Sequence, residues 1–214
     1  MAALLMVAGA YAQRPMTFTK KGYTLIVTNN EPKVDLKEQV RLISTFFQTY
    51  PKLAREYNKG TADTVYMMLD TAYKGVAATA NAHVRISPKW IIEHPEDIDV
   101  VTHEVMHIVQ NYGHTVGPGW LTEAIADYAR YQFGVNNQAA NWSLPELKAG
   151  QSYTNSYRVS ARFLLWIEKK VKRGTVQALN RQLREHSYTA GSWQALSGKS
   201  LDELWKDYVA NPAI

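Results

Sequence analysis

The sequence lacks cysteine altogether, so it forms neither a disulfide framework nor a thiolate site for a metal ion. It also lacks any apolar run that approaches the roughly 20 residues needed to span a bilayer, and no membrane span is predicted. Positive charge is only slightly in excess, since the formal net charge is +5 in 214 residues. Because no basic patch with interleaved aromatic residues accompanies this charge, we expect no nucleic-acid partner.

The chain is long enough to fold as one domain with a sizeable core, and neither an internal repeat nor a low-complexity linker divides it. Its first residues are apolar or small, and Ala10-Tyr11-Ala12 fits the cleavage site of a secretory signal peptide. We therefore predict a signal-peptide remnant over residues 1–12, a single domain over residues 13–214, and a secreted or periplasmic location. The basic residues that normally begin such a peptide are missing, so a frayed N-terminal tail is the alternative interpretation.

What the sequence does contain is a His-Glu-x-x-His motif, formed by His103, Glu104 and His107. Residues four apart lie on one face of a helix, one turn apart, so both imidazoles can bind a single ion. Glu104 adjoins the first ligand and can reach a water on that ion, which is the pattern of a zinc-dependent peptidase. The alternative is a pair of helix histidines satisfied by local hydrogen bonds. The apolar residues around the motif argue against it, because burying such groups without a strong partner is unfavourable.

A catalytic zinc ion needs a third protein ligand and an open position for water. Glu123 is the best candidate, since it follows the second histidine by sixteen residues across a loop rich in Gly and Pro. Asp127 comes one turn later and is expected to accept the free ring N–H of a metal-bound histidine. His114 is the rival ligand. The metzincin pattern does not support it, because that pattern requires Gly at position 110 and His at position 113, where this chain has Gln110 and Gly113.

Hydrophobic periodicity predicts an α+β fold, with a small mixed β-sheet in the N-terminal half followed by a mainly helical half. Strands are predicted at residues 23–28, 64–70 and 82–87. Asp35 is predicted to cap a helix that runs to about residue 57. Further helices are predicted to begin at residue 97 or 99 for the histidine motif and at residue 120 for the third ligand. The remaining helices are predicted at residues 155–172, 175–185, 192–197 and 201–210. Residues 75–82 are expected to be irregular.

The strand at residues 82–87 alternates in polarity and ends before Pro88, as an edge strand does. Since it lies just before the first metal helix, it could bind an extended peptide by strand pairing. An ordinary hairpin strand fits the same pattern, so both interpretations stay open.

Four segments of the chain have a recognisable pattern, at residues 103–107, 118–128, 157–164 and 204–208. Together these four segments resemble the basic secretory protein family of plants and bacteria. The resemblance covers about residues 97–208 and is looser before them. The family usually has Gly where this chain has Trp120 and Ala124, which predicts a different substrate pocket.

The resemblance implies a secreted, gluzincin-like zinc peptidase with a zincin-like fold, acting as an endopeptidase or an aminopeptidase. The residues that it carries over to this chain are His103, His107 and Glu123 as zinc ligands, Glu104 as general base, Asp127 and Tyr157.

The expected reaction hydrolyses a peptide bond by a zinc-bound water, with Zn²⁺ lowering the pKa of that water and Glu104 as general base. Tyr157 is expected to donate a hydrogen bond to the oxyanion. Tyr153 is the second candidate for this role, and a core position is the alternative for Tyr157. The expected partner is a peptide or protein substrate, and the enzyme is expected to be a monomer. Two other functions stay open, a non-hydrolytic binding module that retains the metal and a zinc amidase that acts on cell-wall peptides.

Overall fold

The computed structural model describes residues 14–114 and 117–214. Within them the chain has an α+β fold, with a five-stranded mixed sheet in the N-terminal half and helices after it. The predicted fold class is thus confirmed. The predicted signal-peptide remnant at residues 1–12 lies outside the described residues.

The sheet contains strands β1 (Met16–Lys20), β2 (Tyr23–Asn29), β3 (Thr64–Leu69), β4 (Ala77–Ala80) and β5 (His83–Ile86). Their order across the sheet is β1-β2-β3-β5-β4. The outer pairs, β1 with β2 and β4 with β5, are antiparallel, whereas the central pairs are parallel.

The edge of the sheet differs from the prediction, and the edge assignment of residues 82–87 is wrong. The strand in that segment, β5, lies between β3 and β4, so β4 is the edge strand. β4 lies in the stretch that was expected to be irregular. It was not predicted as a strand because three of its four residues are alanine, which has little strand preference. Its strand conformation depends on a tight turn at Asn81 and Ala82, both with positive φ of 48° and 59°, as a two-residue hairpin requires.

Helix α1 (Leu36–Tyr57) connects β2 to β3, and Asp35 caps it as predicted, with its carboxylate accepting the Glu38 N–H. The other helices are α2 (Pro88–Glu93), α3 (Val100–Gln110), α4 (Gly119–Phe133), α5 (Tyr157–Lys170), α6 (Thr175–Arg184), α7 (Ser192–Ser197) and α8 (Leu201–Ala210). β1 and α2 were not predicted. α2 begins at Pro88, which is favourable at the first turn of a helix although it ends a strand.

Helix α3 lies at the centre of the molecule and contacts α1, α4 and the edge strand β4. All but one of its residues are buried, which agrees with its apolar composition on nearly all sides. Further out, α4 packs on α5, and Phe163 of α5 contacts Trp193, Trp205 and Tyr208 of the last helices. The core therefore encloses α3 and holds α4 firmly against it.

Among the residues that the structure describes, no helix combines the length and the apolar character that a membrane crossing requires.

Candidate metal centre

Helices α3 and α4 bring three metal-ligating side chains together, as the sequence predicted for His103, His107 and Glu123. Nε2 of His103 lies 3.2 Å from Nε2 of His107 and 3.2 Å from Oε2 of Glu123, and the third side of this triangle is 3.6 Å. Ligands at about 2.1 Å from a tetrahedral zinc ion are about 3.4 Å apart. The spacing of the three atoms therefore fits one tetrahedral ion.

The local chain geometry explains how α4 reaches the histidines. α3 ends at Asn111, whose left-handed backbone (φ 42°, ψ 47°) turns the chain away from the helix axis. Gly113, which also has positive φ, lies two residues further on in the same loop. α4 then begins at Gly119 behind Pro118, so that Glu123 faces the motif from its second turn.

The electrostatics of the triad favour a positive charge at its centre. Burial lowers the pKa of His103, but hydrogen bonds to Asp127 and Glu123 outweigh burial and raise that pKa to about 10. Burial likewise raises the pKa of Glu123, but hydrogen bonds with both histidines outweigh it and lower that pKa to about 2. Two ring nitrogens 3.2 Å apart repel each other unless a proton or a cation lies between them. A bound metal ion would satisfy all three groups at once.

Asp127 lies where the sequence predicted it, one turn after Glu123 and 4% exposed. Its Oδ1 accepts from Nδ1 of His103 at 2.7 Å. Because Asp127 holds Nδ1 with its proton, Nε2 is the ring nitrogen that faces the triad, and it is the one that would bind a metal ion.

Glu104, the predicted general base, is 5% exposed and lines the cleft beside the triad without belonging to the ligand group. The cleft has a volume of about 1490 Å³. Its walls include Trp90, Trp142 and Arg158 together with β4. The proposed ligands and base thus face a space that is large enough for several residues of a peptide.

Tyr157 also lines the cleft, and its ring stacks on that of His103 with the centroids 6.2 Å apart. Helix α5 was predicted to begin at residue 155 but begins at Tyr157, because Ser156 has φ 65° and ψ −177°, a conformation nearly restricted to glycine. Tyr157 itself has φ 48°. Its side chain is 55% exposed, so the alternative of a core position does not apply.

Tyr153, the second candidate for the oxyanion donor, and His114, the rival third ligand, both lie away from the triad. The hydroxyl of Tyr153 donates to Asp202 at 2.8 Å, and its ring packs against Trp120 outside the cleft. His114 is exposed and does not belong to the ligand group found among the described residues.

Comparison with known proteins bears on what this centre does. A family model called BSP, described as a peptidase of plants and bacteria, matches residues 12–208. The chain belongs to this family. The predicted membership in the basic secretory protein family is thus confirmed, and the peptidase description applies to the family as a whole. No match was found among curated proteins.

One further residue of the centre was missed by sequence analysis, which considered Gln110 only as a departure from the metzincin pattern. Its amide nitrogen donates to the carbonyl of Thr122 on α4 at 2.8 Å, which turns its Oε1 toward Nδ1 of His107 at 2.7 Å. Gln110 therefore orients His107 as Asp127 orients His103. Its position three residues after His107, on the same helix face, was the signal available in the sequence.

We predict that Gln110→Ala lowers the free energy of unfolding by about 1–3 kcal/mol, because it removes two hydrogen bonds, one to the carbonyl of Thr122 and one to the partly buried ring of His107. Urea denaturation with EDTA present, so that no bound metal contributes, measures this loss. Gln48→Ala, at an exposed position of α1, is the control and should change stability by less than about 0.5 kcal/mol. Equal effects of the two substitutions would contradict the role given to Gln110.

Proposed function

We propose that this member of the peptidase family is a zinc-dependent peptidase that uses the centre between α3 and α4. The observation that carries the proposal is the triangle of His103, His107 and Glu123, whose sides of 3.2, 3.2 and 3.6 Å fit a tetrahedral ion. The triad lies in an open cleft beside the carboxylate of Glu104, which is not one of the three candidate ligands. Two imidazoles and one carboxylate, with no thiolate in the chain, match the ligands of catalytic rather than structural zinc sites.

When bound, zinc would polarise the scissile carbonyl and make water a stronger nucleophile near neutral pH. The chain's own residues do the remaining work. Glu104 accepts a proton from the attacking water and then passes it to the departing amine. Because Glu104 is almost completely buried, bulk water does not compete for its carboxylate during the transfer.

Tyr157 supports the charge that develops on the carbonyl oxygen. The Glu123 carboxylate raises the pKa of Tyr157, and partial burial raises it further. The hydroxyl therefore stays protonated at neutral pH and acts as a hydrogen-bond donor. Its exposed position on the cleft wall suits a group that meets the substrate rather than the core.

The wider setting of the enzyme forms part of the proposal. The apolar start of the chain and the name of the basic secretory protein family support a secreted or periplasmic location. The size of the cleft supports a peptide or protein substrate. We propose that the enzyme acts as a monomer, since every residue of the centre comes from one chain.

The decisive test of the function is Glu104→Gln, which removes the base and keeps the shape of the side chain. Zinc content should stay at the wild-type level, whereas hydrolysis of labelled casein should fall by about 10²–10⁴-fold. Metal analysis and the casein assay are made on the same preparations. If neither protein cleaves casein although both bind zinc, a non-hydrolytic binding module or an amidase for cell-wall peptides becomes the better description, and a peptidoglycan digest separates those two.

Tyr157→Phe should lower kcat by about 10²-fold and change KM little, because the lost hydrogen bond acts mainly in the transition state. Steady-state kinetics on labelled casein measure both constants. Tyr153→Phe is the control, since its hydroxyl is bonded to Asp202 and should leave kcat unchanged. An unaltered kcat in Tyr157→Phe would remove this residue from the mechanism.

For the metal itself, Glu123→Ala should weaken zinc binding far more than His114→Ala, because only the former removes a group of the triad. Asp127→Asn should weaken binding by about 10–100-fold, as the loss of a partner that orients a ligand usually does. Zinc titration against a competing chelator ranks the three variants. An empty site in His114→Ala, with binding retained in Glu123→Ala, would make the ligand set three histidines instead.

A further inference from the structure

The edge strand β4 contacts the proposed general base directly. The Thr79 hydroxyl donates a hydrogen bond of 2.7 Å to Oε2 of Glu104. Thr79 is only partly buried and lies on the cleft wall next to the triad. We propose that Thr79 is a positioning residue, which holds the Glu104 carboxylate in the orientation that proton transfer needs. This inference rests on the proposed peptidase function.

The register of the sheet explains why Thr79 reaches α3. Val27 pairs with Met67, Met67 with Val84, and Val84 with Thr79. Residues directly opposite one another across neighbouring strands point to the same face. Val27, Met67 and Val84 are at most 2% exposed and lie in the core beneath the helices. The Thr79 side chain therefore lies on this same face of the sheet, which is the face toward α3.

Within β4 no other residue can make this bond. Its remaining members are Ala77, Ala78 and Ala80, none of which carries a polar side-chain atom. The β-branched side chain of Thr79 has few rotamers, which keeps its hydroxyl in one direction. The structure thus provides a single, well-directed donor at the edge of the sheet.

The chemical consequence concerns the second carboxylate oxygen. The last torsion of a glutamate side chain is soft, so a carboxylate without a fixed partner samples a wide range of orientations. A charge-assisted hydrogen bond to Oε2 restricts this rotation and leaves Oε1 available to accept a proton. Thr79 need not touch the substrate to act in this way, because it acts through Glu104.

The test compares Thr79→Val, which keeps the shape but removes the hydroxyl, with Thr79→Ser, which keeps the hydroxyl. For the zinc-loaded full chain on labelled casein, Thr79→Val should lower kcat by about 10–100-fold and leave KM nearly unchanged. Thr79→Ser should recover most of the lost rate. Thr17→Val, the same substitution on strand β1 at the opposite edge of the sheet, is the matched control and should behave as the wild type.

A second comparison asks whether Thr79 acts through the base. In the Glu104→Gln background, Thr79→Val should cause no further loss of rate, since there is no carboxylate left to orient. Should Thr79→Val not fold, Thr79→Ala, which only removes atoms, takes its place in both comparisons.

Several outcomes would overturn the proposal. A wild-type kcat in Thr79→Val would do so. An effect of Thr79→Val on KM alone would point to a contact with the substrate instead. Equal losses of kcat in the Val and Ser variants would point to a purely structural role. These results leave the peptidase function intact. A wild-type protein that fails to cleave casein overturns the peptidase function itself, and this inference with it.

Discussion

The hydrogen-bonded contact between the imidazoles of α3 and the carboxylates of α4 is the interaction on which the rest of the site depends. His103 lies between Asp127 and Glu123, and both helices are largely buried at this level. In surroundings of low polarity such contacts are strong, and the same surroundings make an unpaired charge or lone pair unfavourable. The geometry of the triad and the packing of the helices are therefore coupled, and a change that separates the helices also separates the candidate ligands.

Each candidate functional side chain on α3 is tied to another element, either directly or, for His107, through Gln110 of the same helix. Asp127 of α4 orients His103, Gln110 connects His107 to the backbone of α4, and Thr79 of β4 holds Glu104. These partners restrict rotation about the side-chain torsions, which backbone packing alone would leave free. Pre-organisation of this kind allows a site to stabilise a transition state without first reordering itself.

The part of the cleft wall at the start of α5 has a different character. Tyr157 is more than half exposed, and it follows Ser156, whose backbone conformation is unfavourable for any residue except glycine. The hydroxyl of Ser160 donates to the Tyr153 carbonyl and so closes this turn. The strained backbone of Ser156 thus belongs to the turn that places the Tyr157 ring against His103.

Elements with a strong local pattern were predicted well from the sequence. The bounds of α7 and α8 match the prediction, and α1 begins behind its predicted cap, Asp35. The edge strand was assigned wrongly because β4 is nearly all alanine and has no periodicity of its own. Its conformation comes from pairing with β5, a tertiary effect that residue type does not record.

The sequence by itself determined the parts of the site that depend on helical spacing. His107 lies four positions after His103, and Asp127 lies four positions after Glu123. On a helix, residues at this spacing share one face. Only the tertiary structure decided which groups of other elements meet that face. Gln110 and Thr79 carry no motif, and their roles arise from a carbonyl on α4 and from the register of the sheet. Contacts between distant segments depend on how elements pack, and the spacing of residues along the chain does not record that packing.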